Sequence, residues 1–70
     1  MRSRMNYTQE QAAAVMKLLR HRLSADRTTQ KADRNELRTR YGFWISDFWV
    51  GFSDHDFKAK VADGTFNLVG

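Results

Sequence analysis

The stretch TQEQAAAVMKLLRHRL, residues 8–23, sets the frame in which the rest of the chain is read. Thr8 followed by Gln11 is a capping-box pattern, in which two side chains satisfy backbone N–H groups at a helix start. Ala12, Val15, Met16, Leu19 and Leu23 follow at spacings of three and four, which places them on one helical face. Glu10, Lys17 and His21 fall on the opposite face. Arg20, His21 and Arg22 occupy the last turn, where positive charge meets the negative end of the helix dipole.

Outward from this helix the signals vary in strength. Residues 1–7 read as a loose arm, and residues 8–70 as one small domain. Ser24 to Ala32 is polar and lacks an apolar stripe, so it reads as a loop. Asp33 with Glu36 repeats the capping pattern and predicts a second, shorter helix, with Leu37 and Tyr41 one turn apart and Gly42 placed to end it. An earlier start would leave Ala32 far from the Leu37 stripe. The segment YGFWISDFWVGF, residues 41–52, holds six of the nine aromatics, and so short an apolar run does not separate strand from helix. Phe43 to Ile45 suits a short strand, and Ser46-Asp47 a turn or a cap.

Ser53 reads as an N-cap, with Phe52 before it and Phe57 at the fourth helical position to form a hydrophobic staple. Phe57 and Val61 continue the stripe, and Gly64 supplies the left-handed residue that closes the helix. Thr65 to Val69 alternates in strand fashion, with Phe66 and Leu68 on one face. The expected fold is mainly α, three short helices with a small C-terminal strand or hairpin.

Seventy residues leave room for one core. Without cysteine there can be no disulfide, which fits a reducing compartment, and the expectation is a cytoplasmic protein. No stretch reads as a secretory or membrane-spanning segment: the apolar run Ala12 to Leu19 is broken by Lys17 and followed by Arg20 and Arg22. Asn6-Tyr7-Thr8 matches a glycosylation acceptor, a pattern short enough to arise by chance.

Catalytic chemistry finds no footing. His21 and His55 lie on different expected helices, and neither sits at metal-ligand spacing. Asp54-His55-Asp56 resembles a site, but acids in a first helical turn already satisfy the positive end of the dipole. The four glycines form no phosphate-cradling loop. The expectation is a non-catalytic protein with no metal and no cofactor.

Charge distribution points to binding instead. Residues 1–40 carry ten Lys or Arg against four acids, a balance of +6, whereas residues 41–70 carry two against four, a balance of −2. Such a split suits a polyanion, an acidic protein surface or anionic lipid. Lys17, Arg20, Arg22, Arg27, Lys31, Arg34, Arg38 and Arg40 are the candidate nucleic-acid contacts, with duplex DNA the expected target. Phosphate contacts need only positive charge within reach, and the sequence is silent on base reading. The aromatic run lacks any Lys or Arg from Tyr41 through Phe57 and holds three aspartates, which argues against a base-stacking platform. Trp44, Phe48 and Trp49 are therefore candidates for core or for a partner interface, a homodimer among them. Two functions follow: a DNA-binding regulator or accessory protein, and a small inhibitor or adaptor, of the kind mobile elements encode, that docks on a larger protein. Membrane-surface binding ranks behind both, since the basic helix lacks interfacial tryptophan or phenylalanine.

The tail from Gly51 resembles the small winged helix-turn-helix regulators of the excisionase and AlpA type. Gly51, Phe52, Ser53, Phe57, Val61, Gly64 and Phe66 sit at the positions where those proteins show a glycine, an apolar residue and a serine, then a recognition helix, then a glycine and a phenylalanine at the wing. The match covers about twenty of the seventy residues. The resemblance implies a winged-helix-like fold and transcription-regulating DNA binding. The family's usual proline is here Asn67, and its polar or basic helix start is here Asp54 and Asp56, which would repel phosphates. Any DNA contact is thereby expected from Arg34, Arg38, Arg40 and the basic end of the first helix.

Overall fold

The computed structural model describes residues 2–48 and 51–69. The chain is mainly helical: β1 (Asn6–Thr8), α1 (Gln9–Ser24), α2 (Arg27–Tyr41), a 3-10 turn (Ile45–Asp47), α3 (Asp54–Ala62) and β2 (Asn67–Val69). Helix α1 is the hub, packing on α2, α3 and both strands. Among the described residues no helix is long and apolar enough to cross a membrane.

Helix α1 forms where its caps and stripe require. Thr8 Oγ1 accepts from the Gln11 amide at 3.1 Å, and Gln11 Oε1 accepts from the Thr8 amide at 3.0 Å. Ala12, Val15 and Leu19 are buried, with Met16 at the margin. Leu23, last in the stripe, is 49% exposed, because the core beneath α1 ends at Leu19.

Helix α2 begins six residues before the expected start at Asp33, and the stretch 27–32, expected to be loop, is helical. Only Ala25 and Asp26 connect it to α1, and Asp26 is the cap, its Oδ1 accepting from the Thr29 amide at 2.8 Å. A surface helix needs an apolar stripe only where it meets a core. The first turns of α2 face solvent, so their polar composition carried no helical signal. Asp33 is mid-helix and buried, its Oδ2 2.7 Å from Nδ1 of His21 on α1. A hydrogen-bonded polar pair thus occupies the helix contact where an apolar stripe was sought. Gly42 closes α2 in the left-handed region at φ 63°, and a β-carbon there would lie 3.4 Å from the Arg4 side chain.

Of residues 1–7, expected to form a loose arm, those described, 2–7, are docked. Asp47 Oδ2 accepts from the Arg2 amide at 2.9 Å and from the Ser3 amide and hydroxyl at 2.7 Å each. Ser3 Oγ in turn accepts from the Trp44 amide at 2.9 Å, and the Arg4 amide donates to the Gly42 carbonyl at 2.8 Å. Strand β1 pairs in parallel with β2, in the register Asn6–Asn67, Tyr7–Leu68, Thr8–Val69. The C-terminal strand is therefore half of a two-stranded sheet closed by the N-terminal segment, and not half of a hairpin. Phe66 is buried but Leu68 is 45% exposed, so the alternation expected over 65–69 does not hold beyond Phe66. Phe43 to Ile45 is no strand; the 3-10 turn holds Ile45, Ser46 and Asp47, with the Phe48 amide donating to the Ile45 carbonyl at 2.9 Å.

Helix α3 starts at its Ser53 cap, where Ser53 Oγ accepts from the Asp56 amide at 3.3 Å and Asp56 Oδ2 accepts from the Ser53 amide at 2.9 Å. Phe52 and Phe57 flank that cap, both fully buried, and Gly64 follows the helix at φ 90°.

Among the described residues, six rings fill the core. Phe43 stands within 5.5–5.8 Å, centroid to centroid, of Phe48, Phe52, Phe57 and Phe66. Tyr7 closes the far side edge-on to Phe57 at 5.8 Å and Phe66 at 5.7 Å. Burial pushes the pKa of the Tyr7 phenol up to about 12, and among the described residues its hydroxyl has no partner.

Truncation of Phe43 to Ala should cost about 3–5 kcal/mol, enough to unfold much of so small a domain, as read by denaturant titration. Asp47 offers a pH test. Its partial burial raises its pKa, but the Ser3 hydroxyl and the Arg2 and Ser3 amides outweigh that, and it titrates below its ordinary 3.8. A carboxyl with a lowered folded-state pKa stabilises the fold above its unfolded value and ceases to do so as pH falls through the folded one. Asp47→Ala should lower stability at pH 7 by about 2 kcal/mol, a drop in Tm of about 10 °C, with wild type and variant converging as pH falls below about 4.

Candidate nucleic-acid interface

The early start of α2 changes what its cations can do together. Arg27, Lys31, Arg34 and Arg38 recur at spacings of four, three and four, so within one continuous helix they lie inside an arc of about 60°. All four are exposed, and the ridge they form is about 16 Å long at 1.5 Å per residue. The acids of α2 project elsewhere: Asp33 toward His21, and Glu36 toward Arg40 at 3.7 Å. Arg22 extends the ridge from α1. It is half-buried and fixed by donation from Nη2 to the Phe52 carbonyl at 3.0 Å, and it lines a hollow of about 380 Å³ with Arg27, Gln30, Lys31 and Arg34. Among the described residues no carboxylate lies within 4.0 Å of the charged groups of Arg22, Arg27, Lys31, Arg34 or Arg38.

The remaining three of the eight expected contacts fall outside this ridge. Arg20 pairs with Asp54 of α3 at 2.9 Å, a bond that holds the Asp54 carboxyl below its ordinary pKa. Arg40 is drawn to Glu36. Lys17 lies on α1 and borders a different hollow, with His21, Asp33 and Glu36 in its wall. The basic half of the sequence therefore resolves into one unneutralised ridge and three cations spent or displaced.

The aromatic candidates also separate. Phe48 is half-buried and stacks on Phe52 at 4.2 Å and on Phe43 at 5.5 Å, as part of the core. Trp49 lies outside the described residues. Trp44 is half-buried and belongs to the ridge, with the guanidinium of Arg38 5.2 Å and that of Arg2 5.3 Å from its ring centroid. Arg38 also donates to Asn35 Oδ1 at 2.6 Å. Arg2 was missed in the sequence because it lay in a segment read as a loose arm. The ridge had a signal, the Asp26 cap: a helix begun there puts 27, 31, 34 and 38 in register.

Of Asp54-His55-Asp56, the first residue pairs with Arg20, the last caps α3, and His55 is exposed. Among the described residues no three His, Asp or Glu side chains converge on a point that could hold a metal ion. No protein-family model, curated protein or solved structure matches the chain.

The ridge is held at its α1 side by the His21–Asp33 pair, whose carboxylate is buried and whose imidazole is more than half exposed. Replacing His21 by Ala leaves that carboxylate without its partner and should cost about 1–3 kcal/mol, whereas Asp33→Ala with His21→Ala should cost less than the two single losses added together. A double-mutant cycle by thermal denaturation reads the coupling.

Proposed function

We propose that the protein is a small non-catalytic nucleic-acid-binding regulator or accessory protein that grips phosphates along the α2 ridge. One observation carries this: five cations, Arg22, Arg27, Lys31, Arg34 and Arg38, share one surface with no carboxylate in ion-pair reach among the described residues. Gathering like charge without neutralising it costs self-repulsion, and that cost is recovered when a polyanion releases its counterions on binding. The excisionase-type resemblance would place α3 against DNA, but Asp54 and Asp56 open that helix and the former is already bound to Arg20. The docking element in this proposal is α2. The adaptor alternative drew on Trp44, Phe48 and Trp49; Phe48 is taken up by the core, which removes one of its anchors.

Titration of a labelled duplex of mixed sequence by fluorescence anisotropy tests the proposal. Binding should weaken steeply with salt, log K falling with log[salt] at a slope of about −4 to −5, and Arg34→Ala should make that slope shallower by about 1. Lys31→Glu with Arg34→Glu should abolish binding at low salt, while Lys17→Glu, the same kind of charge reversal away from the ridge, should leave most of it. Absence of binding by the wild type at low salt, or equal losses for ridge and off-ridge reversals, overturns the proposal.

A further inference from the structure

Trp44 occupies a position that its sequence neighbourhood conceals. Flanked in the chain by apolar and acidic residues, it is nevertheless brought against the α2 ridge and the docked N-terminal segment. A hollow of about 260 Å³ opens there, walled by Phe43, Trp44 and Ile45 on the apolar side and by Arg34, Arg38 and Ser46 on the polar side. Its size is below the roughly 300–1,000 Å³ of sites for drug-sized ligands and suits a single planar ring system. It is also continuous with the phosphate ridge, since Arg34 lines both this hollow and the one walled by Arg22, Arg27, Gln30 and Lys31.

We infer that Trp44 with Arg34 and Arg38 forms a stacking site for one unpaired nucleobase, so that the protein prefers strands with unpaired bases to fully paired duplex. This rests on the phosphate-binding role of the ridge and adds the class of nucleic acid it takes. A site for single-stranded nucleic acid requires a π-face for the base and a cation for the adjoining phosphate. An aromatic run without its own cations lacks the second, and the fold supplies it from α2 and from Arg2. The guanidiniums of Arg2 and Arg38 stand against the indole, so its ring is within reach of flat groups arriving from the ridge side. Arg2 and Arg38 are exposed side chains that an entering base displaces from the ring toward its own phosphate, where guanidinium planes also stack on bases. A base held in a duplex has its faces covered by its neighbours and cannot reach Trp44 without being extruded.

The test compares three labelled probes at one salt concentration: oligo-dT, an abasic strand of the same length and charge, and a blunt duplex with the same total number of phosphates and so half the length. Oligo-dT should bind at least about ten-fold more tightly than the abasic strand, the scale set by stacking of one base on an aromatic side chain. Trp44→Ala should remove most of that preference, read as the ratio of oligo-dT to abasic-strand affinity, and Trp44→Phe should retain it. Equal affinities for oligo-dT and the abasic strand overturn the inference even with ridge-dependent binding intact, and need no variant to fold. Failure of all three probes to bind overturns the ridge proposal itself, a result distinguishable from the first.

Discussion

Everything in this chain is arranged around Phe43. Its ring touches four other phenylalanines drawn from three parts of the sequence, and each of those parts carries something the surface uses. Seventy residues without a disulfide cannot afford a loose core, and six interlocking rings concentrate a large apolar area in a small volume. Phe43 follows directly on the left-handed glycine that ends α2, so burying it fixes where that helix stops and which way its exposed face points. The position of the cationic ridge is in this sense a consequence of an aromatic contact.

The N-terminal segment is the second constraint. A two-stranded parallel sheet joining the two ends of the domain is too small to stand alone. It persists because Tyr7 enters the ring cluster from one strand and Phe66 from immediately before the other, while Ser3 and Asp47 bind the preceding residues to the 3-10 turn. Asp47 accepts three hydrogen bonds on one oxygen, and Ser3 relays the contact to the Trp44 backbone. The same few bonds that close the fold hold Trp44 beside the guanidiniums of Arg2 and Arg38.

Polar groups are divided between two tasks in a way that local charge counts do not reveal. Asp33, Asp54 and Asp56 each satisfy an internal need: a helix contact, an ion pair with Arg20, a cap. With these acids engaged elsewhere, the α2 face from Arg27 to Arg38 keeps its charge unopposed.

By itself the sequence determined those elements whose signals are local. The Thr8–Gln11 box, the Ala12–Val15–Leu19 stripe, the Phe52–Ser53–Phe57 staple and Gly64 each involve residues within one or two turns, and the first and last helices stand where those residues put them. Tertiary structure alone decided the rest. The start of α2 was hidden because its first turns meet water and its inward contact is a His–Asp pair rather than an apolar stripe. The N-terminal segment looked loose because its partners lie about forty residues or more away in the chain. Five of eight cations became one surface and three did not, because which charges meet depends on helix phase and on where acids from other elements arrive, and neither is written in any short stretch of residues.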